Sequence, residues 1–572
     1  MTRHPYKAFA TFLIAFLALG SDASPEPRPN VVFITIDDLN DWVGPLGGHP
    51  QSITPNFDRL ASRGVTFRNA HCSIPICSAS RSAFMTGLLP EKTGVFSNGN
   101  SFFDIDPDIQ TIPEHLADQG YQTHGAGKLF HGRREDFVSY FHSYGPGTGN
   151  QGGPFTREEL DTLKQNPSHR VDRGPGQLKA LLPLNGMPDD RRDGVSRNNS
   201  FDWGPVDVPA SEMPDGEIAR WAARTLSQTS EKPFLVAAGF YRPHQPLFAP
   251  KEYFEKFDPE TIQLPEILPD DLEDLPFYAQ RLARYALTAG THQTVLEHGQ
   301  WEEAVLAYLA CVTFIDDQLG LILDALEQSP AARNTWIVLL SDHGYHLGEK
   351  EHWGKFTPWS ESTRVPLIIV PPSGYDSQEW ARGRSVDTPV SLIDLYPTLV
   401  ELCGIAPPGH DLDGQSLAPL LKTDYDPSSS DRYAITSNGR GTHAVVKGKY
   451  RYIRYFDGSE ELYDRIADPH EFHNLSPEPQ FAELKAELRG LLPSDPAVKR
   501  FVRYQDLKII FFADPSVSPV VFEIAPGTGS GGGIGETKDV SKKHSALLDK
   551  IAAYLDQRPD LPTHLTVTDS DL

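Results

Sequence analysis

The stretch Val31-Val32-Phe33-Ile34-Thr35-Ile36 is an unbroken apolar and β-branched run that ends directly at Asp37-Asp38. Such a run is typical of a strand buried on both faces, because a half-exposed strand would alternate apolar and polar residues. Strands of this kind belong to parallel sheets that are covered by helices on both sides. The stretch therefore predicts an α/β fold whose first strand places two carboxylates at its carboxyl end.

The chain that follows repeats an alternation of predicted strands and helices. Strands are predicted at 65–70, 121–124, 234–240, 336–340 and 365–370, and helices at 55–63, 112–119, 214–226, 302–327 and 391–402. Between about 146 and 214 the pattern gives way to Gly, Pro, Asn and charged residues, which predicts long loops near the mouth of a site. We therefore predict a mostly parallel sheet covered by helices on both faces.

The pattern of apolar and polar residues changes after about Asp424. His443–Phe456 alternates polar and apolar residues and is rich in Tyr, as in an antiparallel hairpin, and Glu478–Leu492 predicts a helix. We expect a larger N-terminal domain over residues 24–425, and a smaller α+β subdomain with antiparallel strands and an extra tail over residues 426–572. Gly527–Gly535, within that tail, is glycine-rich but lacks the lysine of a phosphate-binding loop.

The N-terminus has the pattern of a secretory signal. Three basic residues among the first seven precede the apolar run Ala8–Leu19, and Ser21-Asp22-Ala23 resembles a small-residue cleavage site. We predict a signal peptide over residues 1–23 and an exported protein, periplasmic or extracellular. An uncleaved anchor is the alternative, but the run is short for a membrane span and prolines follow it from Pro25. No stable membrane association is expected.

Composition and charge limit the possible partners. The 572 residues are 39% hydrophobic and carry a formal charge of −25, which disfavours binding to nucleic acid. Any site for an anion must therefore be a local pocket of cations within an acidic protein. Four cysteines are too few for a disulfide scaffold, and Cys311 and Cys403 lie in helical patterns that predict core positions.

A second stretch, Cys77 to Gly87, predicts a helix with unusual residues at its start. Cys77 and Arg81 are four residues apart and share one helical face. The first turn of a helix favours an anion, because its N–H groups have no partner within the helix. The alternative is a capped helix with a buried structural thiol, since free cysteine often behaves as a small apolar residue. These residues alone leave both interpretations open.

Two acidic clusters follow predicted strands. Asp37-Asp38 comes after the first strand and Asp342-His343 after a later one, and ligands of open α/β sheets bind at the carboxyl ends of strands. Singly, each cluster is equally consistent with a helix cap or a turn aspartate. Together, the carboxylates suit a hard divalent cation, Ca²⁺ first and Mg²⁺ second.

Three further segments carry cations and imidazoles at predicted strand ends or close to the second acidic cluster. They contain Lys128 with His131, His244 between two prolines, and Lys355 after a Glu-His-Trp-Gly run. Each segment is weak evidence alone, because a surface lysine is most often only solvated.

Taken together, these segments resemble the type I sulfatases. The run from Cys77 through Gly94 resembles the family signature, although the family usually has Pro where this chain has Ala79. Asp37-Asp38 and the segment ending in Asp342-His343-Gly344 look like the two metal-binding segments. Many sulfatases have Asn at the position of His343, whereas members like iduronate-2-sulfatase have His.

The resemblance is most specific to the iduronate-2-sulfatase-like branch. That branch likewise has a Lys-x-x-His, a Pro-His-x-Pro and a Gly-Glu-x-x-x-Trp-x-Lys segment. The similarity extends from Asn30 to about Leu475, and it includes Glu461–Asp464 and Asp468–Asn474, which look like the family's ending. It implies an alkaline-phosphatase-like fold, with residues 24–425 as the sulfatase catalytic domain.

The resemblance also implies a chemistry. Cys77 would be oxidised by a formylglycine-generating maturation enzyme, and the hydrated formylglycine would attack the sulfur of a sulfated saccharide. The branch suggests a 2-O-sulfated uronic acid as that saccharide. His244 would protonate the leaving oxygen, and His131 would take a proton when sulfate is expelled. The implied metal ligands are Asp37, Asp38, Cys77, Asp342 and His343, and His343 is alternatively a contact of sulfate or nucleophile. The implied sulfate-binding or acid/base residues are Arg81, Lys128, His131, His244 and Lys355.

Three questions stay open at the level of sequence. A phosphoric or phosphonate monoester hydrolase of the same superfamily is an alternative, and so is a non-enzymatic carbohydrate-binding relative that keeps the Cys77 thiol. Pocket-lining candidates are drawn from aromatic and polar residues near the motifs, namely Trp42, His49, Asn98, Trp353 and Trp359.

Overall fold

The computed structural model describes most of the chain. The described residues are 28–98, 106, 108–149, 153, 170–172, 179–181, 184–187, 201–228, 230–284, 290–493, 498–504, 507–512, 520–523, 545–556 and 564–567. The predicted signal peptide, the Gly527–Gly535 segment and much of the predicted loop region 146–214 lie outside the described residues.

Eight strands form the main sheet. They are β1 (Asn30–Asp37), β2 (Val65–Phe67), β3 (Gln122–Gly127), β4 (Ser143–Tyr144), β5 (Phe234–Pro243), β6 (Thr335–Ser341), β7 (Leu367–Val370) and β8 (Arg384–Val386). Their spatial order is β8-β2-β7-β6-β1-β5-β3-β4. Every neighbouring pair is parallel except the two pairs that β7 makes. The predicted mostly parallel sheet is confirmed, with β1 at its centre.

Helices cover both faces of this sheet. The longer helices are α1 (Pro55–Ala61), α2 (Cys77–Thr86), α3 (Ile112–Asp118), α4 (Pro214–Leu226), α5 (Trp301–Gln328), α6 (Leu395–Leu402) and α7 (Ala482–Arg489). Alternate residues of β1 enter opposite cores, since Val32 and Ile34 pack with α4 and α5 while Val31 and Phe33 pack with α2, α3 and α6. This explains why β1 is apolar throughout.

Helix α5 is the one described helix that is long and apolar enough to cross a membrane. The most apolar part of α5 is 89% buried inside the protein. It packs against α4, α1 and β5, and therefore serves as a core helix of the N-terminal part.

The C-terminal part contains an antiparallel four-stranded sheet. Its strands are β9 (Tyr433–Ser437), β10 (His443–Lys447), β11 (Tyr450–Arg454) and β12 (Glu460–Asp464), paired in chain order. Helix α7 packs on one face through Leu488 and Leu462, and Trp359 of the N-terminal part packs on the other. The predicted antiparallel subdomain is confirmed, while its boundary at residue 425 stays a prediction.

The tail contains a further four-stranded sheet and a helix. The strands are Val498–Tyr504, Leu507–Phe512, Val520–Glu523 and His564–Val567, and the helix is Ser545–Asp556. Further short strands in the chain are Ala70–His71, Arg170–Asp172, Lys179–Leu181, Trp203–Val206, Leu247–Pro250, His346–Leu347, Trp353–Gly354 and Val390–Ser391. Further short helices are Pro90–Thr93, Arg134–Phe137, Lys251–Phe254, Phe277–Ala283, His292–Glu297 and Ser360–Thr363.

Element boundaries differ from the predictions by a few residues. The strand predicted at 65–70 is divided, because residues after Phe67 leave the main sheet and Ala70–His71 pairs with Val390–Ser391 instead. The helix predicted at 391–402 begins with a 3₁₀ turn, Leu392–Asp394. The helix predicted at 478–492 likewise has a 3₁₀ turn before α7.

Candidate active site

The two acidic clusters meet because their strands are neighbours. β1 and β6 run parallel, with Ile36 opposite Ser341, so both acidic clusters leave the same edge of the sheet. The backbone N–H of Asp38 donates to the Asp342 carboxylate at 3.2 Å. Asp38 has φ of 62°, in the left-handed region, which turns the chain sharply after the strand. A joint site requires these two strands to be neighbours, and they are.

Helix α2 presents Cys77 to this edge. Cys77 is the first residue of the helix, and Gly87 ends it in a left-handed conformation. The side-chain oxygen of Asn98 accepts a hydrogen bond from the N–H of Ser78 at 2.9 Å, which satisfies one of the free N–H groups of the first turn. The Ser80 hydroxyl donates to the backbone carbonyl of Asp342 at 2.5 Å and fixes α2 against the end of β6.

The Cys77 sulfur lies among buried polar groups. His343 Nε2 is 3.3 Å and Lys355 Nζ 3.0 Å from Sγ. Lys355 also donates to Asp38 Oδ1 at 2.6 Å. All four side chains are almost completely buried, so these interactions act in a medium of low dielectric, where electrostatic effects are strong.

A second set of contacts surrounds Arg81. Its Nε donates to Asp342 Oδ2 at 2.9 Å and its Nη2 lies 3.3 Å from Asp37 Oδ1. Its Nη1 donates to the backbone carbonyl of Lys128, whose own ammonium pairs with Asp37. The predicted cations Arg81, Lys128 and Lys355 therefore alternate with the three predicted carboxylates.

Burial governs the protonation of this cluster. It raises the pKa of the Cys77 thiol to about 12, and the nearby Asp37 carboxylate adds to the effect. Burial also raises the pKa of Asp342 to about 7, partly opposed by Arg81. Asp37 is different, because the charges of Lys128, Arg81 and Lys355 outweigh burial and hold its pKa well below the usual range. An unmodified Cys77 would therefore be protonated and a weak nucleophile at neutral pH.

The three predicted histidines of the site are neutral at neutral pH. Burial, followed by the charge of Lys355, lowers the pKa of His343 to about 3. Burial and Lys128 lower the pKa of His131 to about 3. Burial, Lys355 and Lys128 also hold the pKa of His244 well below its usual value. A neutral imidazole has a lone pair available for a metal or a proton.

The side chains of Asp37, Asp38, Cys77 and His343 fit a divalent cation. Each offers one ligand atom, and these atoms lie within 4.8 Å of one another. Asp38 Oδ2 is buried and has no hydrogen-bond partner among the described residues, so one carboxylate oxygen is available. Asp342 lies beside this group, with Oδ1 accepting from the N–H groups of Asp38 and His343. Two hard carboxylates with an imidazole suit such an ion.

Most of the pocket-lining candidates are buried side chains, and their role in a pocket stays a prediction. Trp42, Trp353 and Trp359 are 3% exposed or less and belong to the hydrophobic cores. The Trp359 indole N–H donates to Glu461 of β12 at 2.8 Å, so this side chain joins the two parts of the chain. His49 is buried with Nε2 2.9 Å from the carbonyl of Gln263. Asn98 is close to the site, but as the cap of α2.

Two residues that contribute to the site are not among those predicted from the sequence. Ser80 anchors α2 to β6, and its position inside the Cys77 stretch was an available signal. Tyr241 contacts two predicted site residues, with its ring centroid 5.0 Å from Lys128 Nζ and 4.6 Å from the His244 ring. Its position directly before the Arg-Pro-His segment at the end of β5 was the signal for it.

Sequence comparison agrees with this geometry. The family described as "Sulfatase" matches residues 29–405, and the family described as "N-sulphoglucosamine sulphohydrolase, C-terminal" matches residues 348–495. The chain thus belongs to the sulfatase family and is a sulfuric ester hydrolase.

Individual relatives support the assignment. A sulfatase of Formosa agariphila is 37% identical over 472 residues, which cover 82% of this chain and 86% of that protein. Iduronate 2-sulfatase of Mus musculus is 28% identical over 562 residues, covering 84% and 96% of the two chains. The phosphonate monoester hydrolase structure from Silicibacter pomeroyi has a TM-score of 0.63 at 22% identity, covering 81% and 94%, and shows the shared alkaline-phosphatase-like fold.

Proposed function

We propose that this chain removes sulfate from a sulfated saccharide, with a 2-O-sulfated uronic acid as the preferred residue, through a formylglycine made from Cys77. The observation that carries the proposal is the environment of the Cys77 sulfur, which lies 3.0 Å from Lys355 Nζ and 3.3 Å from His343 Nε2 at the start of α2. The similarity to iduronate 2-sulfatase supports the choice of sugar.

The proposal includes one modification and one metal ion. Hydrated formylglycine supplies a hydroxyl for attack on sulfur, and a second hydroxyl whose deprotonation lets sulfate leave, which a plain serine or cysteine lacks. Asp37, Asp38, residue 77 and His343 would hold the divalent cation, Ca²⁺ in preference to Mg²⁺, and Asp342 completes the ligand set that we propose. When bound, the cation would supply Lewis acidity towards the sulfuryl oxygens.

The chain's own cations bind the sulfate group. Arg81, Lys128 and Lys355 are held in place by carboxylates before substrate arrives, so no reorganisation is needed when negative charge develops on the sulfuryl oxygens. Their burial excludes water and strengthens each interaction.

Two histidines would carry the protons. His244 protonates the leaving alcohol oxygen, and His131 accepts a proton as sulfate is expelled. Because Lys355 and Lys128 help to hold the pKa of His244 low, an anionic sulfate ester beside these lysines would raise it. His244 would therefore take up its proton in the complex with substrate.

The proposal also covers the maturation, the export and the catalytic domain of the protein. A formylglycine-generating enzyme acts on the stretch around Cys77, with Ala79 at the position where the family usually has Pro. The protein is exported after cleavage of residues 1–23, and residues 24–425 form its catalytic domain.

The experiment compares two buried cysteines. Cys77→Ala should abolish hydrolysis of an aryl sulfate while far-UV circular dichroism stays unchanged, whereas Cys72→Ala should stay active, because Cys72 Sγ is buried against the carbonyl of Ser362. Mass spectrometry of the Cys77 peptide should show the aldehyde in protein co-expressed with a maturation enzyme. Full activity of Cys77→Ala would refute the mechanism, and an intact thiol in natively produced protein would favour a non-enzymatic role.

Substrate class is tested on the same preparation. Turnover of an aryl sulfate should exceed that of the matching aryl phosphate, and the reverse ranking would favour the phosphoric or phosphonate monoester hydrolase. Among defined sulfated disaccharides, those with a 2-O-sulfated uronic acid should be desulfated fastest.

A further inference from the structure

A tight turn of the C-terminal sheet projects an arginine beside the catalytic segment. The turn Asn438–Thr442 joins β9 to β10 and is closed by the N–H of Asn438, which donates to the carbonyl of Thr442 at 2.8 Å. Gly439 and Gly441 both have positive φ, 85° and 78°, a conformation that glycine adopts without strain. Between them Arg440 is exposed.

This turn is fixed to the chain that leads into Cys77. The N–H of Ser437 donates to the carbonyl of Ser73 at 2.8 Å, and the Thr436 hydroxyl donates to the carbonyl of Cys72 at 2.6 Å. The Ser437 hydroxyl also donates to Glu91 at 2.6 Å. The end of β9 is therefore hydrogen-bonded to Cys72 and Ser73, a few residues before Cys77 in the chain.

The Arg440 guanidinium lies over the ring of Phe96, 4.8 Å from its centroid. Phe96 packs against the apolar cluster that contains Ile76 and Ala79 of the Cys77 stretch and Phe356, which directly follows Lys355. The N–H of Phe356 donates to the carbonyl of Pro75 at 3.2 Å, so this cluster joins the segments that carry Cys77 and Lys355. The Phe96 ring thus lies between Arg440 and the apolar cluster that joins the Cys77 and Lys355 segments.

Arg440 differs in its charge environment from the other cations of the site. Arg81, Lys128 and Lys355 are buried and paired with carboxylates. Arg440 makes no ion pair with any residue that the structure describes. In a chain of formal charge −25, an exposed guanidinium that lies over an aromatic ring is available for an anion from solution. Its planar fork matches a carboxylate through two parallel hydrogen bonds.

We propose that Arg440 binds the carboxylate of the uronic acid whose sulfate ester occupies the Cys77 site. This inference rests on the proposed function, because it assigns to the same sugar a second anionic contact. The sulfate is bound by the buried cations, and the carboxylate by a cation at the rim. Arg440 would thereby select uronic acids over neutral sulfated sugars.

The test compares Arg440→Gln and Arg440→Lys with wild type. The substrates are a disaccharide with a 2-O-sulfated uronic acid, the same compound with its carboxyl reduced to an alcohol, and a neutral aryl sulfate. Arg440→Gln should lower kcat/KM for the uronic acid by about 10- to 100-fold, as expected for the loss of a hydrogen bond between charged groups, and leave the other two substrates unchanged. Arg440→Lys should have a kcat/KM for the uronic acid between those of wild type and Arg440→Gln, because lysine keeps the charge without the planar fork.

The matched control is Lys422→Gln. Lys422 also lies over an aromatic ring, 3.4 Å from the centroid of Trp380, but Trp380 packs on Trp336 near the start of β6, at the opposite end of the strand from the site. Lys422→Gln should leave kcat/KM for all three substrates unchanged. Equal losses on the uronic acid and its reduced form, or no loss on either, would overturn the role of Arg440.

A binding measurement separates this inference from the proposed function. Calorimetric titration of the disaccharide and its reduced form into Cys77→Ala reports binding without turnover. A preference for the carboxylate that disappears in Cys77→Ala/Arg440→Gln supports Arg440, even if no sulfate ester is hydrolysed by the mature protein. Equal affinity for the two compounds in Cys77→Ala would refute the carboxylate contact, whatever the outcome for hydrolysis.

Discussion

Replacing Lys355 by methionine separates the chemistry of the site from its stability. Lys355 Nζ is 2.6 Å from Asp38 Oδ1 and 3.0 Å from Cys77 Sγ, and the side chain is 3% exposed. Removing one preorganised group that stabilises developing charge costs about 10²- to 10³-fold in kcat, or about 3–4 kcal/mol. We expect Lys355→Met to lose activity towards an aryl sulfate by that factor.

The same change also removes one partner of a buried ion pair. Leaving the other charge uncompensated costs about 3–5 kcal/mol of unfolding free energy. Lys350 is a matched control five residues earlier, because it is equally buried and its Nζ donates to Asp271 Oδ1 at 2.6 Å and to the carbonyl of Glu471. Lys350→Met should therefore lose similar stability, yet it removes no group that contacts Cys77.

The assay combines urea unfolding with turnover measured well below the unfolding temperature of the weakest variant. Both variants should unfold at lower urea concentration than wild type, and only Lys355→Met should show the large loss in kcat. Wild-type turnover in Lys355→Met would refute the role of this ammonium in the reaction. An equal loss of kcat in Lys350→Met would show that the effect follows from lost stability instead.

Two further predictions concern the metal and pH. Chelation of divalent cations should abolish sulfate ester turnover and lower the Tm. Added Ca²⁺ should restore both in wild type but not in Asp38→Asn. A wild-type Tm that does not change with Ca²⁺ would contradict the metal site. Burial raises the pKa of Asp316 from 3.8 to about 6, while its carboxylate accepts the N–H groups of Asn56 and Phe57. The folded state thus binds this proton more tightly, so the stability that Asp316 contributes, at most about 3 kcal/mol, is present below about pH 4 and is lost as pH rises through 6. Urea unfolding between pH 4 and 6 should show a weaker dependence of the unfolding free energy on pH in Asp316→Asn than in wild type. An equal dependence in both proteins would contradict the role of Asp316.

The sequence could predict the sheet and the side chains that gather at its edge, because both depend on local patterns. An apolar run ending in Asp37-Asp38 and another ending before Asp342 are visible one strand at a time. That these strands are neighbours is a property of the whole topology, and so is the antiparallel course of β7. Neither follows from periodicity, which says how a strand is covered but not beside which strand it lies.

The tryptophans show where local reasoning fails. Trp353 and Trp359 flank Lys355 in sequence, so they were natural candidates for a pocket, but large aromatic side chains are stabilised by burial wherever their N–H finds a partner. The indole N–H of Trp359 donates to Glu461, about a hundred residues later, and that of Trp353 donates to His292 at 2.9 Å. Partners so distant in sequence are set by tertiary packing, which a single sequence does not display.

The charges of the site explain how an acidic protein can attract an anion. Three carboxylates, Asp37, Asp38 and Asp342, are paired with three cations, Arg81, Lys128 and Lys355, so the cluster has no excess of negative charge even when all six groups are ionised. Burial raises the pKa of Asp38 even though Lys355 opposes it, so this carboxylate is harder to ionise than a solvated one. A divalent cation beside its unpartnered oxygen would hold Asp38 ionised and give the cluster a net positive charge. The attraction for a sulfate ester would then be confined to the cluster, while the surface stays acidic, and high salt should weaken it little because buried charges are poorly screened.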